Sequence, residues 1–145
     1  MSSRLAAACC ALLVACGPAR DPAGDPVSPE AAARADADRG RLLGSACQAC
    51  HSLEPGGAHL VGPNLSGIFG RTAGTAEGFG NYSAALRRSG VVWSPAELDR
   101  WLADPAGFLP GTTMAFTGYQ SAADRAALIA WLVTATGGES PAAGN

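Results

Sequence analysis

Cys47, Cys50 and His51 stand together as Cys47-Gln48-Ala49-Cys50-His51, the densest group of soft ligands in the chain. Cys-x-x-Cys-His is the attachment signal for c-type haem. Its spacing has a physical reason. Two cysteines one helical turn apart can each add across a vinyl group of one porphyrin, and the next residue then carries an imidazole under the iron. Three other chemistries compete for these residues. A structural zinc site needs four ligands, and beyond the motif only His59 remains in the globular part. A thioredoxin-like dithiol needs a strand–helix setting that is missing here. The third is a plain disulfide in an exported protein. Haem is favoured over all three.

A sixth ligand for such an iron is available. Apart from the initiator, Met114 is the chain's single methionine. A lone methionine more often fills a core than binds a metal. Met114, however, follows Leu109-Pro110-Gly111-Thr112-Thr113, a rigid loop rather than a helical face. A His–Met pair gives the positive potential suited to electron transfer.

The elements that must position these groups read as helices. The first is expected over roughly 31–47. The second starts with Ser94 as N-cap, Pro95 at N1 and Glu97 completing a capping box. Its Leu98, Trp101 and Leu102 fall on one buried face, and Asp104-Pro105 ends it. The third starts at Ser121, carries Leu128, Ile129, Trp131 and Leu132, and stops before Gly137-Gly138. A shorter helix spans Ser83 to Ser89, closed by Gly90. With no alternating strand pattern, the fold class is all-α: three to five short helices joined by Gly-rich loops.

Composition explains why such a domain needs a large cofactor. The chain has 145 residues, enough for one domain, and 48% are apolar. Yet 31 residues are alanine and only 6% of the chain is aromatic, so the core it can build alone is thin. The net charge is −2 and every base is arginine, which argues against a nucleic-acid partner. From Arg39 onward the seven arginines balance seven acids. The linker before it, from Gly17, carries −3.

The front of the chain reads as an export signal. Arg4 precedes an apolar run from Leu5 to Ala15, which at eleven residues is too short to span a membrane. Its end, Leu13-Val14-Ala15-Cys16, resembles the lipobox of bacterial lipoproteins, in which the cysteine corresponding to Cys16 receives the lipid. The expected organisation is a signal peptide at 1–15, a lipid-bearing Cys16 and Pro/Ala-rich linker to residue 38, a domain over 39–138, and a disordered tail at 139–145. Cys9 and Cys10 fall in the discarded segment.

Over about residues 40–136 the chain resembles class I, mitochondrial-type cytochrome c. The matching stretches are CQACH, GGAHLVGPNLSGIFGR, GVVW, LPGTTMAF and ADRAALIAWL. The resemblance implies one covalent haem c, bound through Cys47 and Cys50, with His51 and Met114 as iron ligands. It implies that the Pro63 carbonyl accepts the other ring N–H of His51, and that Arg71, Tyr82, Trp93 and Thr112 serve a buried propionate. His59 matches a histidine that clamps a loop. Leu43, Leu128 and Trp131 match the contact between first and last helices.

Two departures stand out. Trp101 replaces a tyrosine whose hydroxyl bonds the methionine sulfur. The lysines that ring the haem edge in mitochondrial forms are missing, with Ala106, Gly107 and Thr113 at such positions. The expected function is a monomeric one-electron carrier, not an enzyme, tethered on the periplasmic side of a bacterial membrane and serving membrane redox proteins. A haem-based sensor or weak peroxidase is the alternative if the Met114 bond is labile. With a neutral domain and no lysine, docking is expected to depend weakly on salt.

Overall fold

The computed structural model describes residues 28–137. The signal segment, Cys16, the linker up to residue 27 and the tail lie outside the described residues. The architecture is all-α. Five helices follow in order: α1 (Pro29–Gln48), α2 (Ala84–Arg88), α3 (Pro95–Ala103), α4 (Pro105–Phe108) and α5 (Ala122–Ala135). The only extended pairing among the described residues is an isolated bridge between Thr72 and Val92.

Three of the helices start the same way, with a short polar cap followed by proline at the first helical position. Ser28 caps α1 ahead of Pro29, Ser94 caps α3 ahead of Pro95, and Asp104 caps α4 ahead of Pro105. The cap oxygen takes an otherwise orphaned backbone N–H, and proline has none to lose. Two expectations are corrected here. Asp104-Pro105 does end α3, but the same pair also opens α4, with Gly107 N–H donating to Asp104 Oδ1 at 2.9 Å. The capping box of α3 is half made. Ser94 Oγ accepts from Glu97 N–H at 3.1 Å, while the Glu97 carboxylate turns outward to Arg100 instead of back to its cap.

Helix α1 runs without a break through residue 38. Every residue from Ser28 to Arg39 is exposed, and Gly40 is the first buried one. From there α1 packs on α5, the main helix–helix contact of the fold. Glycine permits it at two points. A Cβ on Gly40 would strike the Ala127 carbonyl, and one on Gly44 would enter the Trp131 ring. Arg39 seals the same contact with two bonds to the Asp124 carboxylate, at 2.6 and 2.8 Å. The hydrogen bond from Arg39 holds the Asp124 carboxyl below the usual range. That contribution is therefore fully present above the ordinary aspartate pKa and fades only as pH falls through the depressed value.

The core joins Leu98, Trp101 and Leu102 of α3 to Leu128, Ile129 and Leu132 of α5, with Ile68, Leu86 and Trp93 from the intervening chain. Arg125 ties α5 to α3 through Asp99 at 2.8 Å and also donates to the Tyr119 and Gln120 carbonyls. Tyr119 in turn donates its hydroxyl to Leu43 O at 3.1 Å, which fixes the loop before α5 against α1.

Gly44→Ala should therefore destabilise the fold by about 1–3 kcal/mol, because the added methyl overpacks against a ring backed by the core. Guanidinium unfolding of the haem-loaded protein measures this. A variant as stable as the parent would show that the α1–α5 contact can open without cost.

Candidate functional site: a cavity between α1, α3 and the 109–120 loop

The end of α1 delivers Cys47, and the chain turns back at once. Cys50 N–H and His51 N–H both donate to Cys47 O, at 3.0 and 2.9 Å. The turn keeps the two thiols and the imidazole on one side of the chain, and all three line a single cavity of about 290 Å³. Neither Cys47 nor Cys50 forms a disulfide. Among the described residues, no three of His, Cys, Asp and Glu converge as a metal cluster, which leaves the zinc alternative without its remaining ligands.

His51 is held from two sides. Its Nδ1 lies 2.6 Å from the Pro63 carbonyl oxygen. A carbonyl can only accept, so Nδ1 carries the proton and Nε2 keeps its lone pair for the cavity. Behind the ring sits Gly62, where a Cβ would collide with the imidazole. Gly62 is itself fixed by donating its N–H to Cys50 O at 2.8 Å. Burial pushes the His51 pKa down, partly opposed by the Pro63 bond, so the neutral ring is the form present. Burial likewise raises the Cys47 thiol pKa.

Met114 reaches the same cavity from the loop between α4 and α5, together with Thr113, Ala115 and Phe116. Its N–H donates to Thr112 Oγ1 at 3.3 Å. Thr112 itself is not among the cavity-lining residues; its oxygen accepts the Met114 N–H and leaves its own hydroxyl proton to give. Trp101 lines the cavity, is 5% exposed, and stacks edge-on against Trp93 and Phe108. Among the described residues its indole makes no hydrogen bond to Met114.

Arg71, Tyr82 and Trp93 also line the cavity. A short antiparallel clasp brings two of them there: Trp93 N–H donates to Arg71 O at 3.0 Å, and Gly70 N–H to Trp93 O at 2.8 Å. The Arg71 guanidinium is half-buried and donates to the Ser66 and Asn64 carbonyls, at 3.1 and 3.0 Å. Tyr82 accepts Ala76 N–H at 3.2 Å and packs edge-on against Phe79, leaving its own proton to give.

His59 stays out of the cavity lining. Its Nε2 donates to Glu77 O at 2.7 Å and its Nδ1 accepts from Asn64 N–H at 2.9 Å, so both nitrogens clamp loops. Sequence reasoning gave no role to Asn64, the hub of this region. It is 8% exposed, donates to Ser52 Oγ and Glu54 O, and accepts from Ser66 N–H. Its signal was its place directly after Gly62-Pro63, where a buried amide can knit three loops.

A search of protein-family models finds no match. Individual proteins match strongly. Cytochrome c of Chlamydomonas reinhardtii is 43% identical over 96 residues, covering 66% of this chain and 85% of that protein. Cytochrome c2 iso-2 of Magnetospirillum fulvum is 48% identical over 86 residues, covering 59% and 88%. A cytochrome c homolog of Bradyrhizobium diazoefficiens is 40% identical over 98 residues, 68% of this chain and only 53% of that longer protein. The chain belongs to the class I cytochrome c family. Cytochrome c proteins hold a haem c and pass single electrons, and this cytochrome is likewise an electron carrier rather than an enzyme.

The residues present fit that cofactor. The cavity is lined largely by apolar side chains, it presents two thiols beside an imidazole with a free Nε2, and it has a thioether in the same lining.

Gly62→Ala should drive the His51 ring off its place, with a loss of about 1–3 kcal/mol in unfolding of the haem-loaded cytochrome. The His51 Nδ1–H resonance should shift as the bond to Pro63 weakens. An unchanged resonance in a stable variant would show that Gly62 does not set the ring.

Proposed function

We propose that this cytochrome is a membrane-tethered carrier in which His51 and Met114 are the two iron ligands and Cys47 and Cys50 the thioether attachments. The observation that carries the reading is the arrangement of His51: Nδ1–H bound to Pro63 O, Nε2 free, and Met114 lining the same cavity. Haem c supplies the Fe(III)/Fe(II) couple. The protein's own residues keep that couple in a fixed setting. Pro63 O holds the imidazole tautomer and raises its basicity as a ligand. Thr112 steadies the backbone of Met114. Arg71, Tyr82 and Trp93 are donors to a propionate, which would be costly to bury unpaired. With His51 and Met114 both holding the iron, the protein would leave no place on the metal for a substrate.

The lipobox-like end of the signal segment supports the second half of the proposal. Cys16 bears the lipid, and the acidic, proline-rich linker connects it to α1 on the periplasmic side of a bacterial membrane. Tethering raises the effective concentration of the domain near membrane redox partners. The domain acts as a monomer.

Carbon monoxide separates the carrier from a sensor or peroxidase. Added to the reduced protein, it should leave the Soret band unchanged, because Met114 would hold the iron against it. Rapid and complete binding would instead identify a labile ligand beside Trp101.

The anchor has its own test. Intact mass should show haem plus acyl chains, and Cys16→Ser should move the protein from the detergent phase to the aqueous phase. A Cys16→Ser protein that still partitions with detergent would refute lipidation at this cysteine.

A further inference from the structure

The mouth of the cavity carries an unusual surface for a protein that must meet a partner. Among the described residues, four large apolar side chains stand exposed. Three of them gather here. Val61, 78% exposed, lines the cavity, and Leu60, 50% exposed, is its neighbour in the chain. Leu42, 69% exposed, lies one turn before Ala46 on α1, and Ala46 lines the cavity as well. The fourth, Val92, belongs to the Thr72–Val92 bridge and does not line it.

Charge is missing from the same rim. The exposed lining residues are Ala46, Val61, Asn81, Thr113 and Ala115, none of them ionisable. Three cations border this region, each with a contact: Arg71, half-buried in the lining, donates to the Ser66 and Asn64 carbonyls; Arg41, beside Leu42, pairs with Asp38; and Arg87 bonds Gly80 O at 3.4 Å beside Asn81. An ionised group on a docking partner would be stripped of water against this collar and find no counter-charge among its exposed lining residues. An apolar partner surface would meet matching side chains and release water from both.

We infer that the electron-transfer partner of this cytochrome presents an uncharged, apolar patch, which covers the collar formed by Leu42, Leu60 and Val61 when an electron passes. The inference rests on the carrier reading above and adds the chemistry of the partner to it. The exposed part of the rim specifies contact rather than steering, so the complex forms by burial and the encounter rate is left to the tether.

A second copy of the haem-loaded protein is a defined partner of this chemistry, since its own collar is uncharged and apolar. Haem attachment is checked first by absorbance and intact mass; a protein without haem would overturn the carrier reading and this inference together. Electron self-exchange is then measured by NMR in mixtures of reduced and oxidised protein, at low and at high salt. The parent rate should change less than about twofold with salt. Val61→Lys should slow exchange about tenfold at low salt, with partial recovery at high salt, while its absorbance spectrum stays that of the parent. Val92→Lys, a charge placed on an apolar residue away from the mouth, should stay within twofold of the parent. Equal slowing by both variants, no effect of Val61→Lys, or a steep salt dependence of the parent would overturn the inference and leave the carrier reading standing.

Discussion

Leu86 of α2, Leu98, Trp101 and Leu102 of α3, and Leu132 of α5 all border one cavity that none of them fills. Their neighbours in the lining come from the end of α1 and from both long loops, so every element except α4 contributes to the same space. A chain of this size with few large side chains has little other apolar area to bury. The fold therefore depends on what occupies that volume. Haem c supplies apolar bulk there, beside Cys47, Cys50 and His51. Stability and function draw on the same group.

Around this volume, precision comes mostly from backbone. His51 is oriented by a proline carbonyl and by the missing Cβ of Gly62, Met114 by a bond from its own N–H to Thr112, and Arg71 is braced by two carbonyls. Asn64 and His59 convert loop segments without helix or strand into a connected frame by taking up backbone groups that would otherwise be buried without partners. Such a frame suits an electron carrier. The ligand positions need to remain the same in both oxidation states, and loops pinned at several points have few alternative arrangements to fall into.

Much of this was legible in the residues, and the gaps have physical reasons. The haem motif, the α5 pattern and the α3 face depend on local spacing, which a sequence displays directly. The start of α1, two residues earlier than expected, and the one-turn helix α4 share one cause. Ser28-Pro29 and Asp104-Pro105 were read as linker and stop, whereas proline after a polar cap is equally a helix start, and only the packing that follows decides between them. Glu97 had the spacing for a full capping box, but Arg100 three residues on competes for its carboxylate. Asn64 was invisible because its partners, Ser52, Glu54 and Ser66, meet only after the loops close. The apolar collar escaped notice for the same reason: Leu42 and Val61 are nineteen positions apart by their numbers and become neighbours of one cavity only through the turn at Cys50.

The uneven distribution of charge follows from the same division of labour. Helix α1 is twenty residues, roughly 30 Å end to end, and its two ends have opposite characters. Its first part is solvent-exposed and carries Glu30, Arg34, Asp36 and Asp38; its last part carries Cys47 and the apolar stripe of Leu42 and Ala46. Ion pairs on the exposed part, such as Arg34 with Glu30 and Arg41 with Asp38, are solvated and contribute little stability. On the docking proposal, most of the charge of α1 lies away from the apolar collar, with Arg41, paired to Asp38, at its inner limit beside Leu42. A cytochrome steered by charge has to combine both properties at the haem edge. Under the same proposal, α1 instead places most of its charge in its exposed first part and its apolar residues toward the cavity end.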